Sequence, residues 1–346
     1  MPARRRHQEP RSLDEFAFIT LIKRRFGRVP RRVPVGVGDD AAVVRGSSQD
    51  WLVTTDLLVE DVHFSLDTIS FDDLGYKAAA ANLSDIAAMG GTPTSLVVAL
   101  AIPKTVSQAD LSRLYRGIHR ACRPYKVSLI GGDTSASRGG LFLSITLFGE
   151  VARDRAILRS GAKPGDLLYV SGRLGESRAG LMLLENAQAP RIRSGLRRAD
   201  RARLIGRHRH PTPRVTLGQA LSSQRLATAM IDLSDGLTGD LAHLCEESRV
   251  GALLDCSALP LSPALRRFAM LAGSSADLLA LQGGEDYELL FTLSPRHETA
   301  VVRLGQRLNV AVTRIGLMMP ARFGMKQQDG HGNLKDLVIT SYRHFT

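Results

Sequence analysis

Carboxylates recur in this chain beside glycines and hydroxyl residues, at places from which side chains can converge. The stretch GVGDDAAVV (36–44) sets Asp39 and Asp40 in an apolar, glycine-lined context. Asp56 closes the strand-like WLVTTD, and Asp133 follows Gly131 and Gly132 in LIGGDTS. Asp232 and Asp235 bracket the turn of IDLSDGL, and Glu285 and Asp286 follow Gly283 and Gly284 in GGEDYELLFT. A buried, ionised carboxylate costs several kcal/mol unless a cation, a hydrogen-bond network or exposure compensates it. Asp with Ser and Thr oxygens, and almost no Cys or His, is the ligand set of a hard cation. Magnesium in particular is held by one or two carboxylates plus waters and substrate phosphates. One GGD or GGED alone reads as a plain turn; the repetition predicts several Mg2+ ions.

The known phosphate-binding signatures are absent. The sequence has no G-x-x-x-x-G-K-[ST], no H-R-D with D-F-G, and no G-x-G-x-x-G after the first strand. A bound nucleotide would therefore be held in another way.

Elements must position these carboxylates. Ser12 with Glu15 forms a capping-box pattern ahead of a first helix. The segment 72–91 repeats apolar residues at helical spacing and stops at Gly90, Gly91 and Pro93. Asn82, Asp85 and Met89 share a stripe off its main apolar face, which predicts that Asp85 projects toward a site. WLVTTD, LVVALAIP and LFLSITLFGEV read as strands, and Ser107 caps a further helix. VSLIGGDTSAS reads as a strand, a glycine turn and a hydroxyl-rich loop. RSGAKPGD (159–166) is dense in turn residues and marks a domain junction, after which the α/β pattern restarts. The expected division is a basic extension over 1–13, an N-terminal domain over 14–152 and a C-terminal domain over 153–346.

Composition bounds the rest. The 346 residues suggest two domains, and 44% hydrophobic residues with 32 glycines fit a globular α/β protein. No apolar run approaches the ~20 residues of a membrane span, and the basic N-terminus lacks a following apolar segment. Three scattered cysteines disfavour a disulfide framework or a zinc site, so a cytoplasmic setting is expected. The net charge of +12 is concentrated in residues 1–30 and in RIRSGLRRADRARLIGRHRH (191–210). That run reads as a solvated face or linker in preference to a nucleic-acid surface.

GVGDDAAVV, TTDLLVEDVHF, YKAAAANLSDIAAMGG, LIGGDTS, RSGAKPGD, IDLSDGL and GGEDYELLFT, in this order, resemble the thiamine-monophosphate kinase family, over nearly the whole chain. That family belongs with aminoimidazole-ribotide synthetase and selenophosphate synthetase. The resemblance implies an α/β (α+β) fold of two domains, with the N-terminal sheet pairing across a homodimer and a C-terminal α/β domain alongside. It assigns magnesium to Asp40, Thr54, Thr55, Asp56, Asp85, Asp133, Asp232 and Asp235. It assigns ATP to Tyr115, Gly132, Asp133, Arg159 and Ser234, and the acceptor, thiamine monophosphate, to His63 and Glu285. Ile339 stands where family members carry an aromatic residue near the terminal tyrosine, and falls on the acceptor side; Tyr342 is a substitute.

The implied reaction moves the γ-phosphoryl of ATP to the phosphate of thiamine monophosphate, without a general base. Two rivals stand beside it. One is another ATP-using enzyme of the superfamily, against which TTDLLVEDVHF and GGEDYEL speak. The other is a basic nucleic-acid-binding protein, which would bind with a steep salt dependence and tolerate loss of Asp56, Asp85 and Asp232. Within the pair, extended chain turns successive side chains to opposite faces, so at most one faces a given site; the resemblance makes that one Asp40 and leaves Asp39 a structural role.

Overall fold

The structure, a computed structural model, describes residues 15–26, 30–185 and 189–340. Ser12, the extension 1–13 as far as its last residue, and Tyr342 lie outside them. Helix α1 (Glu15–Phe26) leads into the loop carrying Asp39 and Asp40. Strands β1 (Ala42–Arg45) and β2 (Gln49–Val59), helix α2 (Phe71–Ala88), strand β3 (Thr92–Ile102), helix α3 (Gln108–Cys122), and strands β4 (Ser128–Ala136) and β5 (Phe142–Ala152) complete the first unit. Its sheet runs in the order β1-β2-β5-β3-β4, parallel only between β3 and β4, which α3 connects.

Strand β2 shows why consecutive residues part company. Leu52, Thr54 and Leu58 are buried toward the helices, while Trp51, Thr55 and Leu57 face out. Helix α2 begins where the Ser70 hydroxyl accepts from Asp73 N at 3.1 Å. It is buried all round, because the sheet, α3 and the C-terminal unit each cover a side. Asn82 and Met89 are therefore core residues, and of their stripe Asp85 alone lines the cavity described below. Gly75 and Gly117 make the α2–α3 crossing possible, since a Cβ on either would run into a backbone carbonyl of the other helix, Leu114 O or Asp72 O.

The second unit contains β6 (Leu167–Ser171), α4 (Glu176–Glu185), α5 (Ala189–Gly195), α6 (Arg198–Arg209), α7 (Val215–Ser223), β7 (Ala229–Asp232), α8 (Leu237–Ser248) and β8 (Val250–Asp255). It continues through α9 (Pro263–Ala272), α10 (Ala276–Gln282), β9 (Leu289–Leu293), α11 (Glu298–Leu308), β10 (Val312–Pro320), β11 (Met325–Gln328) and β12 (Leu334–Asp336). The sheet order is β12-β11-β8-β10-β6-β9-β7. Among the described residues no helix is long and apolar enough to cross a membrane.

Three sequence expectations are corrected. Asp56 lies inside β2, which continues to Val59 instead of ending at TTD. The glycines of LIGGD lie within β4 and form no turn, because a Cβ at Gly132 would strike the carbonyl of Val98 on the neighbouring strand. The arginine-rich run is neither linker nor wholly solvated face. It forms α5 and α6, and Arg203 Nε pairs with the buried Glu176 at 2.5 Å while Arg267 Nη2 meets Asp200 at 2.6 Å.

Candidate functional site

The middle of β2, the ends of α2 and β7 and the loop before β1 meet in one acidic crevice. Asp40, Asp85 and Asp232 each bring a carboxylate oxygen to within 4.8 Å of the others. The Thr54 hydroxyl, on the inward face of β2, donates to Asp85 Oδ2 at 2.5 Å. Arg159 Nη2 donates to Asp40 Oδ1 at 2.8 Å, but Asp40 Oδ2 and Asp232 Oδ2 are buried and, among the described residues, have no hydrogen-bond partner. Buried oxygens so left are costly. An all-carboxylate set with orphaned oxygens fits a hard cation, for which Asp40, Asp85 and Asp232 would be the holders.

Electrostatics points the same way. Burial pushes the Asp85 carboxyl well above its ordinary value, and the charges of Asp56, Asp232 and Asp40 add to that. Asp232 is raised by burial and then by Asp40. Asp56 is pushed up to about 6 by burial. Asp39 rises to about 7, through burial and the neighbouring Asp40 charge. Asp39 also has distinct company, for its carboxylate accepts from Asp40 N at 3.1 Å and from Arg159 N at 3.3 Å. One arginine thus touches both members of the pair, one through its backbone and the other through its side chain.

A cavity of about 740 Å³ adjoins this crevice. Asp56, Asp85, Asp232, Ser234, Asp235, His63 and Glu285 line it. Thr55 touches its edge, yet its hydroxyl bonds Ile145 O at 3.1 Å and Thr146 at 3.0 Å on the outer face of the sheet. Gly132, Asp133 and Tyr115 are not brought there. Gly132 and Asp133 sit on the exposed edge strand β4, three strand spacings or about 14 Å from β2. Tyr115 packs half-buried on α3. Ile339 is 47% exposed and lies off the cavity, although the adjoining Thr340 lines it and exchanges two hydrogen bonds with Thr238 on α8.

The far side of the cavity is built by the loop 283–288. Glu285 and Tyr287 both hold left-handed backbones, with φ of 62° and 49°, a conformation that side-chain-bearing residues seldom adopt. Backbone bonds secure them: Glu285 N donates to Ser234 O at 2.8 Å and Tyr287 N to Leu233 O at 2.9 Å. Asp286 accepts from Gly175 N at 2.6 Å and Ser177 N at 3.2 Å at the start of α4. Glu288 receives Arg214 Nε and the Ser171 hydroxyl, each at 2.6 Å. His63 Nδ1 accepts from Val59 N at 3.0 Å.

Sequence reasoning missed Lys77 and His208, which contact Glu285 from α2 and α6. The available signals were a single lysine in the apolar run YKAAAANL and a histidine hidden among arginines. It also passed over Asp240, whose Oδ2 accepts from Asp235 N at 3.3 Å and Gly236 N at 3.1 Å and so shapes the turn of DLSDGL.

The N-terminal domain description of AIR synthase related proteins matches residues 38–151, and the C-terminal one matches residues 163–322. A thiamine-monophosphate kinase of Haemophilus influenzae is 42% identical over 86% of this chain and 87% of its own length. The Bacillus subtilis protein of the same name is 37% identical, over 88% and 91%. The solved structure "AaThiL complexed with AMPPCP and TMP" superposes with a TM-score of 0.81 at 34% identity, over 96% of this chain and 97% of that one.

Proposed function

Since the chain belongs to the AIR synthase related family and, within it, to the thiamine-monophosphate kinases, we propose that its crevice and cavity join ATP to thiamine monophosphate. The γ-phosphoryl group passes to the acceptor's phosphate oxygen, yielding thiamine diphosphate and ADP. The observation that carries this reading is the Asp40, Asp85 and Asp232 cluster with its unpartnered oxygens beside a cavity wide enough for the acceptor.

Two polyanions must meet here. Unit charges 4 Å apart repel by about 4 kcal/mol at an effective dielectric of 20, and several such pairs arise. Magnesium, when bound, supplies the charge that offsets this repulsion. Asp40, Asp85 and Asp232 are the chain's own holders, with Asp56 and Asp235 at the margin and Thr54 orienting Asp85. A phosphate monoester has a second pKa near 6, so the acceptor oxygen is already largely ionised at neutral pH. Direct attack with no general base follows, and a single-turnover experiment that traps a stable phosphoryl-enzyme would contradict it.

His63 and Glu285 face the acceptor, with Ile339 near the entrance, and Ser234 and Arg159 face the nucleotide. Gly132, Asp133 and Tyr115 serve the nucleotide from a homodimer. In support, every residue of β4 is exposed, and Leu129 and Ile130 on it, with Trp51 and Leu57 on β2, leave large apolar side chains uncovered. A cytoplasmic location accords with three unpaired cysteines among the described residues.

The direct test is a coupled assay with ATP, Mg2+ and thiamine monophosphate, with free thiamine as the control acceptor. Phosphorylation of thiamine but not of its monophosphate overturns the reading. Asp39 and Asp40 give a sharper version. Asp40→Asn is expected to lower Mg2+-dependent activity at least tenfold more than Asp39→Asn, which alters only an acceptor of backbone N–H groups. The reverse order in kcat would exchange their roles.

A further inference from the structure

Lys77 is 2% exposed, and an ammonium so buried must be paired to persist. Both of its partners come from the C-terminal unit: Glu285 Oε1 at 2.7 Å and His208 Nε2 at 3.3 Å. His208 is itself 6% exposed, with Nδ1 3.1 Å from the Ser177 hydroxyl and 3.4 Å from Glu285 Oε2. An ammonium can only donate, so His208 Nε2 must accept, and the ring proton then sits on Nδ1, directed at Ser177 or Glu285. Every polar atom of the trio thus has a defined role. Glu285, 29% exposed at its side chain, is the member that reaches the cavity.

We propose that Lys77 and His208 are positioning residues, which register the left-handed Glu285 loop on the same helix that carries Asp85. This rests on the reading that Glu285 faces the acceptor. Lys77 and Asp85 stand eight residues apart on α2, or about 12 Å along its axis. Clamping Glu285 to Lys77 makes a rigid helix, and not a loop, the measure between the acceptor's ring end and the carboxylates that receive its phosphate. A neutral side chain at 77 frees the loop to relax from its unfavourable backbone. The acceptor then loses its placement, while the nucleotide side keeps Arg159, which Asp40 holds apart from this loop.

The test compares Lys77→Met, His208→Gln, Glu285→Gln and the Lys77→Met/Glu285→Gln double variant in the full-length protein. Lys77→Met is expected to raise KM for thiamine monophosphate at least tenfold and leave KM for ATP within twofold. In the Glu285→Gln background the same change should matter less than threefold, because both act through one carboxylate. His208→Gln should follow the same split with a smaller rise, and it carries the test if Lys77→Met fails to fold. Amide hydrogen exchange of residues 283–288 should quicken at least tenfold in Lys77→Met and in His208→Gln. Equal rises in both KM values, multiplying effects in the double variant, or unchanged exchange would each overturn the inference. A wild-type protein inactive on thiamine monophosphate would refute the functional reading instead, and exchange alone would then judge the clamp.

Discussion

Asp85→Asn and, separately, Asp232→Asn are expected to lower kcat for thiamine monophosphate phosphorylation by about 10³-fold. Each change deletes one unit of charge from a cluster whose oxygens lie within 4.8 Å of one another. A unit charge at about 4 Å is worth about 4 kcal/mol at an effective dielectric of 20, and that corresponds to about 10³ in rate. The fold should survive. Burial already holds both carboxyls far above their ordinary range, so an uncharged amide relieves strain in the metal-free protein. Thermal denaturation without divalent ions should show each variant at least as stable as the parent. A variant retaining more than a tenth of the parental kcat would remove that residue from the site.

The second large effect joins pH to metal. An unfolded aspartate ionises near 3.9, whereas folded Asp56 keeps its proton to about 6 and Asp39 to about 7. Between these values both carboxyls bind more protons in the folded chain than in the unfolded one, so their contribution to stability falls as pH rises, whereas buried His208, lowered to about 3, contributes in the opposite sense. Without divalent cations, the parent should lose stability relative to Asp56→Asn as pH rises from 4 to 7, a comparison of Tm values in which the opposing contribution of His208 cancels. Saturating Mg2+ should reverse the loss, since a ligand at a hundred times its Kd contributes about 2.7 kcal/mol. Its gain should grow with pH, because cation and protons compete for the same oxygens. In Asp85→Asn that Mg2+ gain should vanish. A parent that gains stability relative to Asp56→Asn as pH rises in chelator would refute the raised carboxyl of Asp56.

Much of this was legible in the chain, and the parts that were not share a physical cause. Periodicity and caps located α2 and α3, and the carboxylates of GDD, NLSD and DLSD stood out in the chain before the structure brought Asp40, Asp85 and Asp232 within 4.8 Å of one another. Gly131 and Gly132 misled, because glycine marks either a turn or a close approach between strands, and only the neighbouring carbonyl of Val98 decides which. Thr54 and Thr55 were assigned together by resemblance, yet the period of a strand sends one hydroxyl to Asp85 and the other to Thr146. Lys77 and His208 were invisible for another reason. A buried charge and a solvated one are the same letter, and the partner that distinguishes them lies far away in sequence.

Helix α2 also bears on how such proteins can change over time. Its C-terminal end is pressed on α7, where a Cβ at Gly218 would collide with the Ala87 carbonyl. Ile86 and Met89 share one apolar cluster with Leu217, Leu221, Met230 and Phe291, across the interval from 151 to 163 where the family descriptions divide. The two halves are therefore separate as family domains but joined in one apolar core. A chimera that exchanged one half for a relative's would have to recut α7 to the new α2 at the same time.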